Sequence, residues 1–319
     1  MFDVGLPTQL VPPDTKARTA ASVSFLEGPA WHPSGDLYFS DIAGNRILKM
    51  AADGTVSVFR ADSGRTNGNT FDALGRLISC EGAEFGTGGR RRVVRTDVTT
   101  GQVEVLTERF EGKRYNAPND VVVDTRGRIW FTDPYYWTDQ QSLEMGCEAV
   151  YCIEGAQVRR VVSQPAIGRP NGLAITPDDR TLYVIDSHNV AGGNRKIWAF
   201  DVSDEGTLGG QRLVFDFGTG RGGDGMRLDR QGNLWVAAGV LKPRNPHETD
   251  AVKTGVHVIS PAGKLLGRIP IPEDVITNLT FAGADFKTLF VTAGKTVFKI
   301  ETSVSGYSLF PPLDSKARD

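Results

Sequence analysis

Asn119-Asp120-Val121-Val122-Val123-Asp124-Thr125-Arg126-Gly127-Arg128-Ile129-Trp130-Phe131-Thr132-Asp133 is an apolar strand, a tight polar turn at Gly127 and a second apolar strand. Two such runs about a short glycine turn form a β-hairpin. The fold-back brings Asn119 and Asp133, the polar residues at its two ends, to one edge of the sheet. With Asn119 as position zero, the turn glycine stands at +8, the second strand starts at +10 and the closing acid is at +14.

The pattern occurs five more times. Glu27 is followed at the same offsets by Gly35, Leu37-Tyr38-Phe39-Ser40 and Asp41, and Asn67 by Gly75, Leu77-Ile78-Ser79-Cys80 and Glu81. Asn171 leads to Leu182-Tyr183-Val184-Ile185 and Asp186 through a turn one residue longer. Asp224 leads to Leu234-Trp235-Val236-Ala237 and Ala238, and Asn278 to Leu289-Phe290-Val291-Thr292 and Ala293. Each hairpin is followed by a third strand-like run, such as Lys196-Ile197-Trp198-Ala199-Phe200, and several by a fourth, such as Gln102-Val103-Glu104-Val105-Leu106. Four antiparallel strands in each of six repeats, spaced 40 to 54 residues apart, describe an all-β, six-bladed β-propeller in one domain over 1–319. The second strands are almost wholly apolar, as expected where neighbouring blades cover both faces. The sixth repeat runs out of apolar strand near Ile300, while Ala20-Ala21-Ser22-Val23-Ser24-Phe25 precedes Glu27 where other repeats have a fourth strand. A segment of about 16–26 is therefore expected to complete the last blade and close the ring, leaving no long exposed edge.

The 37 glycines and 17 prolines among 319 residues suit many short strands and turns. A net charge of −2 offers no electrostatic case for nucleic acid or an anionic membrane as partner. No apolar run approaches the roughly 18–20 residues that span a bilayer. The start lacks the basic and apolar blocks of a secretory leader. Cys80, Cys147 and Cys152 fall in no metal-ligand spacing, and an odd count makes a poor disulfide framework, so a cytoplasmic protein with buried thiols is expected.

Strand direction alternates, so the tight first-to-second turns share one face. The long loops 81–91, 133–148, 186–195 and 238–254 share the other with position zero, and long loops on a rigid scaffold carry function. The first strand of each blade is innermost, so Glu27, Asn67, Asn119, Asn171, Asp224 and Asn278 converge on one mouth of the central channel. All six carry a side-chain oxygen acceptor. Asn and Asp also cap turns locally, but six equivalent positions with two carboxylates among them point beyond capping. Converging carboxylates repel unless a cation balances them, and an all-oxygen set suits Ca²⁺ before Mg²⁺ or Mn²⁺, with Zn²⁺ a weaker fit.

Phe25-Leu26-Glu27-Gly28-Pro29-Ala30-Trp31, Arg65-Thr66-Asn67-Gly68, Asn116-Ala117-Pro118-Asn119-Asp120, Arg169-Pro170-Asn171-Gly172-Leu173 and Gly223-Asp224-Gly225-Met226 resemble motifs of the senescence-marker-protein/gluconolactonase (regucalcin-like) family. The resemblance runs in order along nearly the whole chain. It implies a six-bladed propeller and a Ca²⁺- or Zn²⁺-dependent lactonase with a small lactone, a sugar lactone first, as substrate. The metal ligands it implies are Glu27, Asn119, Asn171 and Asp224. Arg65 and Asn67 match substrate-orienting residues, and Asp224 matches the general base or nucleophile. The chain departs from many bacterial members at Cys80-Glu81-Gly82, where they carry a histidine in place of Gly82.

Two other functions fit the same residues: a phosphotriesterase- or fluorophosphatase-like hydrolase on the same ligands, and a non-enzymatic binding platform. Tyr135, Tyr136 and Trp137 are candidates to wall the pocket, and His188 is read as a surface residue. Asp41, Glu81, Asp133 and Asp186 are read first as loop-capping acceptors. The glycine run 218–223 neither ends a βαβ unit nor opens a helix, so it is no nucleotide loop. No serine elbow motif is present.

Overall fold

Backbone pairing follows the repeat. In the computed structural model, which describes residues 24–83, 88–136, 143–244 and 246–311, each blade is an antiparallel meander built outward from the channel. Blade one is β1 (Leu26–Trp31), β2 (Leu37–Asp41), β3 (Arg46–Met50) and β4 (Val56–Ala61). Blade two is β5 (Thr66–Phe71), β6 (Leu77–Glu81), β7 (Arg92–Thr96) and β8 (Val103–Thr107), followed by a small hairpin, β9 (Arg109–Phe110) and β10 (Lys113–Arg114). Blade three is β11 (Val121–Val123), β12 (Ile129–Asp133), β13 (Ala149–Glu154) and β14 (Gln157–Ser163). Blade four is β15 (Pro170–Ile175), β16 (Thr181–Ser187), β17 (Arg195–Val202) and β18 (Leu208–Asp216). Blade five is β19 (Gly223–Leu228), β20 (Leu234–Ala238), β21 (Gly255–Ile259) and β22 (Leu265–Pro270). Blade six shows three strands, β23 (Ile276–Ala282), β24 (Thr288–Ala293) and β25 (Thr296–Glu301). No helix occurs among the described residues, and so none is long and apolar enough to cross a membrane.

The turns of the repeat have a common chemistry. Asp124 accepts the amides of Arg126 and Arg128 and, through Oδ2, the Trp130 indole N–H at 3.0 Å. Asp229 does the same for Gln231, Asn233 and the Trp235 indole. Each aspartate satisfies turn amides that would otherwise be orphaned, and it fixes a tryptophan of the following strand. Gly127 adopts φ 81°, a conformation a side chain would strain.

Apolar residues collect between blades, with one cluster at each of the six interfaces. At the interface of blades three and four, Trp130, Val150 and Cys152 pack on Leu173, Leu182 and Val184. The ring closes where Leu26, Leu37, Phe39 and Leu48 of blade one pack against Phe290 and Val297 of blade six. The Leu26 amide also donates to the Gly294 carbonyl at 2.8 Å. The fourth strand expected from about 16–26 lies, up to residue 23, outside the described residues.

Past β25 the chain crosses the tight-turn face. Arg230 N donates to Ser305 O and Tyr307 N to Leu228 O, both at 2.9 Å, and Phe310 lies 5.5 Å from His32 and 6.1 Å from Phe71 between ring centroids. Residues 307–310 line a small cavity with Pro29, Ala30, Val122, Ala174 and Thr280. This segment therefore stoppers the second mouth of the channel. Its irregular, non-repeating path gave no strand pattern to read in the sequence.

Candidate active site

The position-zero side chains reach the channel because the inner strands are irregular where they sit. In β1, β5, β15 and β19 the register with the second strand slips just beside Glu27, Asn67, Asn171 and Asp224, and in β23 it slips between Ile276 and Asn278. A bulge of this kind re-aims a side chain out of the pleat. The following residue is glycine in four of the six blades. At Gly172 a Cβ would stand 2.2 Å from the Asp224 carbonyl oxygen, and at Gly68 one would stand 2.6 Å from that of Asn119. Only glycine lets inner strands approach this closely, and the approach draws the marker residues onto one mouth.

Glu27, Asn67, Asn119, Asn171 and Asp224 all line a single cavity of about 640 Å³, and Arg65 lines it too. Gly82 is part of the same wall, with Phe25, Pro118 and Val275 supplying apolar surface. Asn278 is buried but is not on the lining. Its Nδ2 points to Asp120 Oδ2 at 3.4 Å, and its Oδ1 accepts the Leu279 amide at 2.9 Å. Five of the six acceptors thus face the pocket, and the sixth supports them from below.

Four of these lining side chains are held by named partners. Glu27 Oε2 accepts the Gly28 amide at 2.9 Å. Asn119 Nδ2 donates to Tyr136 Oη at 3.1 Å, which fixes the amide by its nitrogen and leaves its oxygen for another partner. Asp224 Oδ2 pairs with Arg221, whose Nη1 also donates to the Ile276 carbonyl at 3.1 Å. Arg65 Nη1 donates to the carbonyls of Ile42 (2.9 Å) and Ala43 (2.8 Å), so the guanidinium is fixed on the rim. Asn67 Oδ1 is buried without a hydrogen-bond partner.

The electrostatics are those of a site short of positive charge at its floor. Burial, then the neighbouring Asp224 carboxylate, push the Glu27 acid well above its ordinary range. Burial raises Asp224 as well, against the pull of Arg221. A third buried carboxylate, Asp120, lies beneath, 3.6 Å from Arg227 Nη1, and burial raises it too. Asp120 occupies the place after position zero where four blades have glycine, and that break in the pattern was the signal for it.

Three of the four acids at +14 or +15 cap loops. Asp41 accepts the Phe25 amide at 3.0 Å, Asp133 those of Asn116 and Ala117 at 2.9 and 2.8 Å, and Asp186 those of Gly168 and Arg169 at 2.8 Å. Each therefore pins the segment entering its blade's first strand, two or three residues before position zero. Glu81 instead holds Arg60 and Arg92. Tyr136 walls the cavity with Arg169 stacked 5.5 Å above its ring; Tyr135 is buried off the lining, and Trp137 lies outside the described residues. His188 is half-buried and off the lining. The cavity also holds Arg169, at the offset before position zero that Arg65 has in its own blade, and Arg195, Arg221 and Arg244, which share no offset within the repeats and so gave no periodic signal.

The donor set suits a hard cation. Two carboxylates and three side-chain amides, one of them with an orphaned buried oxygen (Asn67 Oδ1), face one space, with no histidine or cysteine among the described lining residues. Among the described residues no group of three or more His, Cys, Asp or Glu could hold a metal ion, so any such centre must draw on the amides.

A family model described as SMP-30/Gluconolactonase/LRE-like region matches residues 25–295. The chain is 28% identical over 327 residues to the gluconolactonase of Zymomonas mobilis, covering 96% of this chain and 84% of that one. It is 26% identical to the 6-deoxy-6-sulfogluconolactonase of Pseudomonas putida, covering 84% of this chain and 83% of that protein. The solved gluconolactonase of Xanthomonas campestris superposes with a TM-score of 0.72 at 34% identity, covering 90% of this chain and 87% of that chain.

Proposed function

The chain belongs to the SMP-30/gluconolactonase/LRE-like family, and we propose that it hydrolyses a small sugar lactone at the channel mouth with one divalent cation, Ca²⁺ first, Zn²⁺, Mg²⁺ and Mn²⁺ being the alternatives. The observation that carries this reading is the convergence of Glu27, Asn119, Asn171 and Asp224 on one pocket. These four residues would hold the cation, which when bound would supply Lewis-acid polarisation of the lactone carbonyl.

The chain's own groups do the rest. Asp224 takes the proton of the attacking water as the new C–O bond forms. The ring C–O bond then breaks, and the same proton returns to the departing alkoxide, leaving a hydroxy acid. Arg65 and Asn67 orient the substrate's oxygens, one from the rim and one from the wall. Tyr136, Phe25 and Val275 keep bulk water off the ring. A lactone is an activated ester, so one base beside one cation is sufficient chemistry.

The test is acid release, followed with a pH indicator, from a panel of aldonolactones, acyl lactones and fluorophosphates, with and without chelator. Aldonolactone hydrolysis that needs a divalent ion supports the reading. Activity confined to fluorophosphates would replace it.

A further inference from the structure

Five arginines (Arg65, Arg169, Arg195, Arg221 and Arg244) face two carboxylates (Glu27 and Asp224) across the pocket, with no lysine on the lining. The protein as a whole carries a net charge of −2, so this is a local concentration of positive charge and not a general property of the surface. Arg169 is matched by Glu148, at 2.9 Å from Nε and 3.2 Å from Nη2. On the other side Asp224 matches Arg221, while Arg195 is held by carbonyl oxygens and Arg244 stands 3.9 Å from Glu248.

Arg195, Arg221 and Arg244 form a ladder on one wall. The backbone of Gly222, next to Arg221, lies against the Arg195 side chain, where an added Cβ would stand 3.1 Å from Arg195 Cβ. Arg195 Nη2 donates to the Asn189 Oδ1 and to the His247 carbonyl, at 3.0 and 2.6 Å, and so reaches the loop that carries Arg244. These partners are carbonyl oxygens, which orient a guanidinium without neutralising it. Arg244 Nε is 3.9 Å from Glu248 Oε2, an oxygen already accepting the Arg244 backbone amide at 2.9 Å. Exposure climbs along the wall, from 6% at Arg195 through 11% for the Arg221 side chain to 47% for that of Arg244. Burial, then the neighbouring Arg221, lowers the pKa of Arg244, against the pull of Glu248 and Asp224.

We infer that the lactone taken here carries a second, fixed oxyanion, of the carboxylate, sulfonate or phosphate-ester class, bound by Arg244 and Arg195 on the wall that the Asp224-paired Arg221 backs. This rests on the lactonase reading of the same pocket. A guanidinium fork matches an oxyanion in geometry as well as charge, and stacked forks suit a group held away from the reacting carbonyl. The carboxylate that ring opening creates forms at the floor, beside Glu27 and Asp224. It leaves no role for the more exposed Arg244.

The experiment compares kcat/KM for gluconolactone, for glucarolactone, which bears a free carboxylate, and for the phosphate ester of gluconolactone. It uses wild type, Arg244→Ala, Arg244→Lys and Arg244→Glu. Wild type is expected to favour at least one anionic lactone by about tenfold or more, the scale of one charge-assisted contact. That ratio should shrink in Arg244→Ala, partly return in Arg244→Lys, invert in Arg244→Glu, and fall with added salt. The two anionic arms tell a carboxylate wall from a phosphate wall. Preference for gluconolactone over both would overturn the inference and leave the lactonase reading intact. Equal loss on neutral and anionic lactones in Arg244→Glu would also overturn it, assigning the wall to the product carboxylate. If no lactone is opened, the lactonase reading fails separately. Calorimetry with glucarate against gluconate then decides the wall: tighter glucarate binding that Arg244→Glu abolishes supports it, and equal binding overturns it.

Discussion

In the proposed function two demands, ligand and base, meet in the Asp224 carboxylate, and they can be separated because a weakened ligand is offset by more metal while a lost base is not. Asp224→Asn keeps an oxygen at the site and removes the basicity. It is expected to retain the fold and some metal binding while kcat falls by roughly 10² or more, the usual scale for a positioned base. Full turnover at saturating Ca²⁺ would reduce Asp224 to a ligand. In the proposed function Arg65, held by the Ile42 and Ala43 carbonyls, contacts substrate in ground and transition state alike. Arg65→Ala is accordingly expected to raise KM about tenfold with kcat little changed; steady-state kinetics showing the reverse split would place Arg65 at the transition state. At this scale the oxygens of the mouth were legible, because one position recurs at a fixed offset from a turn and an apolar strand. Asn278 shows the limit of that reading. The same residue type at the same offset turns inward to Asp120 and leaves the pocket. Asp120 itself was missed because it is visible only as a glycine that is not there.

Between residue and blade lies the inner strand, whose bulge and following glycine are what turn six similar strands into one site. Gly172→Ala would drive a Cβ into the backbone carbonyl of Asp224, and backbone cannot swing aside as a side chain can. The substitution is expected to cost about 1–3 kcal/mol in urea unfolding, in the range of overpacked sites, and to lower activity by displacing Asp224. An unchanged midpoint and unchanged turnover would show that β15 and β19 have slack. Strand existence was readable from apolar runs bounded by turns, and the capping aspartates of the tight turns follow the same repeat. The arginine wall was not readable. Its members sit before β19, at the start of β17 and in the loop after β20, and only the closed ring makes neighbours of positions so unevenly spaced.

Ring closure is a property of the whole molecule, and in the described residues it is made by packing. Phe39, 3% exposed, sits at the interface between the first and last blades. Phe39→Ala is expected to destabilise the protein by about 3–5 kcal/mol, as for other buried aromatic truncations, and to do so cooperatively, since opening one interface opens the ring. A loss below about 1 kcal/mol by urea titration would mean that blades one and six are held elsewhere. The number of blades could be counted from the repeat, but the stopper across the second mouth could not, because residues 302–311 follow no period. That stopper leaves the loop face as the working end of the channel. The account stands or falls there, on whether the four oxygen-bearing residues hold an ion that hydrolysis needs. The direct measurement is gluconolactone hydrolysis by the purified protein, first stripped with chelator and then titrated with Ca²⁺, beside the Glu27→Gln variant. Turnover should vanish on stripping, return with Ca²⁺, and need markedly more Ca²⁺ in the variant. Turnover that persists through chelation, or a Ca²⁺ requirement that Glu27→Gln leaves unmoved, would contradict it.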